Sequence, residues 1–187
     1  MERIKFADIL SYPFYPMRPL TGPLLKSENV FDRVMERINS GSLAQRKLNG
    51  DRAIVAVKDA KVYIFNRHMS PYKHAVSNIS SFLRYSTVVL DGEVWQSKFY
   101  PFEGLIFNGL EMCDYGPKDR ESLAKHVCKD VGLPWMFEAT EEWIKSEMLK
   151  PHTLKSQYEG VVLKDGPYRT LGAETQTSTK WSKWKWI

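Results

Sequence analysis

An α+β fold, with substantially antiparallel sheets flanked by helices, is what the sequence predicts, and three observations carry that expectation. First, Ile54, Val55 and Val57, then Val62, Tyr63, Ile64 and Phe65, flank the polar break Lys58-Asp59-Ala60-Lys61. β-Branched and aromatic runs around a polar turn read as a hairpin between Arg52 and Phe65. Second, strand-like and helical stretches follow one another in mixed order after that hairpin. Third, no Gly-rich turn follows a strand, which argues against a doubly wound dinucleotide fold.

The elements follow in order. Pro13, Pro16, Pro19 and Pro23 make residues 1–28 an irregular lead-in. Phe31, Val34, Met35 and Ile38 recur at helical spacing between Asn29 as a cap and Gly41 as a stop, so a first helix ends just before Lys47. Beyond the hairpin, Val76, Ile79 and Leu83 predict a short helix. Thr87 to Leu90 reads as a strand, Asp91-Gly92 as a turn, and Val94 and Trp95 as its continuation. Leu105, Ile106 and Phe107 predict another strand. Leu123, Ala124, Val127, Cys128 and Val131 predict a helix stopped at Gly132, and Thr140 with Glu141 and Glu142 opens a helix that Pro151 closes. Gly160 to Leu163 returns to strand. The whole of 1–187 reads as one domain.

Composition narrows the class. The 187 residues are 43% hydrophobic, enough to bury a core, and 27 Lys and Arg against 22 Asp and Glu give a formal charge of +5. That mild excess is compatible with a polyanionic partner without demanding one. Cys113 and Cys128 are too few for a disulfide framework, and His68, His74, His126 and His152 show no metal spacing. No apolar run approaches the length of a membrane span, and the amino terminus lacks a leader signature. A cytoplasmic protein with no membrane partner is expected, acting in the host cell if its source is viral.

Lys47-Leu48-Asn49-Gly50 means little alone, since Lys129 to Gly132 offers a second Lys-x-x-Gly. Order separates the two. Behind Lys47 come Arg52, Asn66-Arg67, Leu90-Asp91-Gly92-Glu93, Tyr158-Glu159-Gly160-Val161-Val162-Leu163-Lys164 and Lys180-Trp181-Ser182-Lys183-Trp184-Lys185, whereas Lys129 has only the later segments downstream. Taken in this order, the segments resemble the motifs of the covalent nucleotidyltransferase superfamily, which contains ATP-dependent DNA ligases, RNA ligases and mRNA capping enzymes. The resemblance runs from about Lys47 to Lys185.

The resemblance implies the nucleotidyltransferase fold of a ligase adenylation domain and an ATP-dependent chemistry in which AMP is carried covalently on Lys47. A lysine amine attacks phosphorus only when deprotonated, and displacement at phosphorus is assisted by positioning and by neutralising charge with Mg²⁺ and basic side chains. By the same resemblance, Glu93 contacts the ribose or the metal, and Glu159 supports Mg²⁺. Lys183 and Lys185 hold the α-phosphate, with Lys164 a weaker candidate. Alternation along a strand turns both lysines to one side, with Trp184 opposite. Arg52 and Arg67 bind the ribose or the 5′-phosphate, Phe107 stacks on adenine, and Gln45 reads the adenine edge. Trp181, Trp184 and Trp186 read as core packing for at least two of the three, against a nucleic-acid stacking surface.

The expected partner is a nicked duplex, DNA before RNA, on the wording of Met17-Arg18-Pro19-Leu20 and Leu-Asp-Gly-Glu. Two departures qualify this: Asn49 stands where DNA ligases usually have Asp, and Asn108 follows Phe107 where Asp is usual. The family also continues into an OB-fold domain, which is not expected here. A slow self-adenylylating minimal protein, a protein partner that supplies an OB-like surface, and a truncated chain all satisfy the sequence. An RNA ligase, a capping guanylyltransferase and a nucleic-acid-binding module without turnover stay open as alternatives.

Overall fold

The structure is a computed structural model that describes residues 16–169 and 176–187, so Pro13 and the first half of the lead-in lie outside the described residues. Along the chain run β1 (Pro19–Thr21), α1 (Glu28–Asn39), β2 (Leu43–Leu48), β3 (Asp51–Lys58), β4 (Lys61–Asn66), a 3₁₀ turn (Ile79–Arg84), β5 (Val88–Trp95), β6 (Lys98–Phe107), β7 (Leu110–Glu111), α2 (Pro117–Val131), α3 (Glu141–Met148), β8 (Tyr158–Lys164) and β9 (Ser178–Lys185). They form two compact units, each drawn from separate stretches of chain.

The first unit takes Gly50–Met136 together with Met17 and residues 166–169. Its sheet is antiparallel throughout, in the order β4-β3-β5-β6-β7. The predicted hairpin is β3–β4. Asp59 and Ala60 at its tip have φ of 50° and 55°, the left-handed pair that matches a two-residue loop to strand twist. Ala53, Val55 and Val57 alternate onto one face with Val88, Leu90, Val94, Phe82, Phe99 and, from α2, Val127 and Cys128. Ile54 and Ala56, at the intervening positions, are buried as well, so β3 is covered on both faces.

Asp91-Gly92 is not a turn. Both residues lie inside β5, which runs unbroken from Val88 to Trp95. A Cβ on Gly92 would sit 2.5 Å from the Phe99 ring and 2.7 Å from the Tyr100 carbonyl oxygen, so glycine is needed here for close strand approach and not for chain reversal. Asp91 is wholly buried. The short helix near Val76 is the 3₁₀ turn, and the strand expected from Leu105 begins seven residues earlier at Lys98.

The second unit takes Arg18–Asn49, Phe137–Asp165 and Thr177–Ile187. Its sheet runs β1-β9-β8-β2, with only β1–β9 parallel. The lead-in therefore holds a strand, β1. Helix α1 is capped by Ser27, whose side chain accepts from the Val30 amide, and not by Asn29. Thr140 caps α3 as expected. Val34, Ala44, Ile144, Val161, Leu163, Trp184 and Trp186 pack into the core of this unit. All three tryptophans of β9 and its end are buried, which leaves no stacking surface among them. Lys47 lies within β2, a strand whose short mixed run Leu-Ala-Gln-Arg-Lys-Leu gives no alternation to read.

Candidate active site

In the second unit, register brings the basic residues together. Lys47 pairs with Gly160 and Gly160 with Lys185, while Gln45 pairs with Val162 and Val162 with Lys183. Directly opposed residues of antiparallel strands project to the same face, so Gln45, Lys47, Lys183 and Lys185 share one side of the sheet. The other side carries Ala44, Val161, Leu163 and Trp184 into the core. Gly160 allows this close stacking of strands, because a Cβ there would lie 2.0 Å from the Trp184 carbonyl oxygen.

Glu159 would point away from these lysines in a regular strand. The register skips it: Leu48 pairs with Tyr158 and Lys47 with Gly160, leaving Glu159 as the extra residue of a bulge. Bulges re-aim a side chain, and this one sends the carboxylate between two ammonium groups. Glu159 Oε1 accepts from Lys47 Nζ, and Oε2 pairs with Lys185 Nζ at 2.6 Å. Burial disfavours its charge, yet Lys47 and Lys185 hold its carboxyl below the ordinary carboxylate range. Burial and the charges of Lys47, Lys185 and Arg18 push the Lys183 ammonium below the ordinary lysine value, against the opposing pull of Glu159. Arg18 is a cation that the motif order did not single out.

Gln45 is 1% exposed on this same face. Lys164, also on it, is buried with its Nζ 4.4 Å from the centre of the Trp181 ring. Arg46 points the other way, its guanidinium 4.7 to 5.8 Å from the rings of Phe137, Trp143 and Tyr158. Asn49 donates from Nδ2 to the carbonyls of Leu154 (2.8 Å) and Ser156 (3.1 Å).

In the first unit, Arg52 lies opposite Glu93 in the β3–β5 register. Its Nε donates to Asp91 Oδ1 at 2.9 Å, Nη2 donates to Asp91 Oδ2, and Nη1 donates to the Met17 carbonyl at 2.6 Å. Burial opposes the charge, but Asp91 more than offsets it and keeps the guanidinium protonated. Arg67 is exposed, one residue past the last β3–β4 pair, with Nε donating to His68 Nε2 at 3.0 Å.

Phe107 is not with them. It pairs with Val88 on the core face of the sheet and meets Tyr85 and His126 edge-on, with ring centres 5.2 and 6.1 Å away. Arg52 and Glu93 occupy the opposite face, so the adenine-stacking expectation for Phe107 finds no support in its placement. The aromatic beside Arg52 is Phe102, 5.4 Å from ring centre to guanidinium carbon. Phe102 is also a bulge residue, skipped between the pairs Gly92–Pro101 and Asp91–Glu103. Phe102 is followed by an acid, Glu103, whereas Phe107 is followed by Asn108.

No family model matches the chain. The DNA ligase 2 of Korarchaeum cryptofilum is 25% identical over 189 residues, covering 80% of this chain and 31% of that protein. The DNA ligase of Monkeypox virus is 25% identical over 183 residues, covering 80% and 33%. Among solved structures, a mycobacterial DNA ligase D complexed with ATP and MES matches 92% of this chain and 60% of its own, with a TM-score of 0.64 at 18% identity. The chain has the fold of a ligase nucleotidyltransferase domain. The chain spans about a third of the length of the curated relatives it matches. Its expected mixture of helices and antiparallel sheets is the fold those structures share. Among its described residues no helix is long and apolar enough to cross a membrane.

Proposed function

We propose that the ligase-type domain is the catalytic part of an ATP-dependent polynucleotide ligase and that Lys47 carries the AMP. The observation that supports this most is the second-unit cluster: Lys47 and Lys185 on the two oxygens of Glu159, with Lys183 on the same face. A face that carries three cations is a place where a phosphate anion is favoured, and it would set the Lys47 nitrogen close to phosphorus.

In the proposed reaction, Lys47 Nζ loses a proton and forms an N–P bond to the α-phosphorus of ATP while the bond to pyrophosphate breaks. Lys183 and Lys185 neutralise the charge on the α-phosphate. The AMP then passes to the 5′-phosphate of a strand, restoring free Lys47. Attack by the 3′-OH of the neighbouring strand forms the phosphodiester and releases AMP. In the first unit, Arg52 and Glu93 serve the ribose or the 5′-phosphate, and Phe102, in place of Phe107, offers the ring for adenine.

Among the described residues no group of three or more His, Cys, Asp and Glu side chains could hold a metal. Mg²⁺ asks for less, since it is commonly bound by one or two carboxylates plus phosphate oxygens and water. Glu159 fits that role, and Mg²⁺ would supply charge neutralisation at the phosphates. Were Glu159 to turn to such a cation, its hold on the Lys47 amine would be released. The curated relatives are named DNA ligases, which supports nicked DNA as substrate. Asn49 favours keeping RNA as the second reading.

Incubation with α-labelled ATP and Mg²⁺ tests the proposal. Label that survives denaturation is expected in the wild type and in Lys129→Ala, and is lost in Lys47→Ala. Label retained by Lys47→Ala overturns the assignment. Nicked DNA, nicked RNA and hybrid duplexes offered to the labelled protein then separate the two substrates by which one discharges the AMP.

A further inference from the structure

Arg52 does not stand alone. Asp91, its partner on both oxygens, is wholly buried, and Tyr168 donates its hydroxyl to Asp91 Oδ2 at 2.7 Å. Tyr168 is itself wholly buried and lies 77 residues from Asp91 in sequence. Its hydroxyl oxygen accepts from the Met17 amide at 3.3 Å, and the Met17 carbonyl accepts from Arg52 Nη1 at 2.6 Å. The circuit Arg52–Asp91–Tyr168–Met17–Arg52 is therefore closed within the first unit. Burial and Asp91 push the Tyr168 hydroxyl well above the ordinary tyrosine value, so it stays a donor at every working pH.

Geometry dictates what the circuit does. A carboxylate that grips Nε and Nη2 of one guanidinium fixes its plane, provided the carboxylate cannot rotate. The Tyr168 hydroxyl removes that freedom from Asp91. The Phe102 ring lies beside the guanidinium so fixed. Arg120 gives a second buried arginine–carboxylate pair in the same unit, with Glu103; its guanidinium carbon lies 6.0 Å from the centre of the Tyr168 ring, a contact that Tyr168→Phe keeps.

We propose that Tyr168 is a positioning residue that acts through Asp91 to hold the Arg52 guanidinium in the orientation used on the nucleotide or the 5′-phosphate. The catalytic half of this statement rests on the proposed ligase reaction; the structural half does not. The part of the chain that positions Arg52 thus includes Tyr168, which lies outside the ordered motifs.

Two readouts test it on the full chain. In the first, the Arg52 Nε–H signal is followed by nitrogen-edited NMR in the wild type and in Tyr168→Phe, with Arg120 Nε–H as the internal control. Tyr168→Phe keeps the ring and removes one hydrogen bond to a charged group, which sets a scale on the order of tenfold. Exchange of the Arg52 proton is expected to quicken by about that factor, with Arg120 unchanged. Equal effects on both arginines, or none on either, overturn the proposal.

In the second, the rate of label transfer from α-labelled ATP to protein and on to nicked duplex is measured in a double-mutant cycle. Tyr168→Phe is expected to slow whichever step uses Arg52 by about tenfold in the wild-type background and by less than about twofold in Arg52→Ala. A similar loss in both backgrounds contradicts action through Arg52. If the wild type takes no label while the Arg52 signal alone responds, the ligase reaction fails and the positioning circuit stands.

Discussion

Asn49 lies two residues after Lys47, and its amide nitrogen donates to two backbone carbonyls, those of Leu154 and Ser156. An ionised aspartate has no donor to offer them. The residue usual in DNA ligases is therefore the wrong one for this loop, and Asn49→Asp is expected to lower stability by about 1 kcal/mol, read from the urea midpoint. An unchanged midpoint contradicts the assignment of the amide as donor. Glu159 permits a second prediction. Its carboxyl is held below the ordinary range in the folded state, so the stability this adds is complete above the unfolded value, about 4.3, and is lost as pH falls through the lower folded value. The gap in urea midpoint between wild type and Glu159→Gln should be constant from neutral pH to about 5 and narrow below about 4. A gap that persists unchanged into acid contradicts the pairing with Lys47 and Lys185.

Among the elements, two of the bulges turn a side chain toward a cation. Glu159 and Phe102 are each the unpaired residue of an antiparallel ladder, and each is aimed at a basic group that regular alternation would miss. No periodicity in sequence announces a bulge, so Glu159 is legible only through its motif and the direction in which Phe102 points is not legible at all. Gly92 was misread for a related reason: Asp-Gly signals a turn in isolation, and only the crossing of Phe99 and Tyr100 shows that the glycine serves strand packing. Gly92→Ala is accordingly expected to cost about 1–3 kcal/mol through overcrowding, measured by thermal or urea unfolding. A neutral Gly92→Ala would restore the turn reading. The β3–β4 hairpin, α2 and α3 were read closely because their hydrophobic spacing and caps are local.

For the whole molecule, the ordered motifs are spread over 139 positions from Lys47 to Lys185, yet folding sorts them into two sets by unit. Gln45, Lys47, Glu159, Lys183 and Lys185 belong to one, and Arg52, Arg67, Glu93 and Phe107 to the other. Strand register gathers Gln45, Lys47, Lys183 and Lys185 on one face and sets Arg52 opposite Glu93, whereas Arg67 lies past the end of β4 and Phe107 faces the core. Motif order did not lead to Tyr168 or Met17, whose contributions come from a hydroxyl and a backbone carbonyl that no motif lettering records. In the proposed reaction the second-unit set loads AMP on one lysine among three on the same face. Mapping the adduct by mass spectrometry of peptides, after incubation with ATP and Mg²⁺, tests this most directly. AMP is predicted on the peptide containing Lys47 and removed by pyrophosphate; AMP on Lys183 or Lys185 with Lys47 unmodified would contradict it.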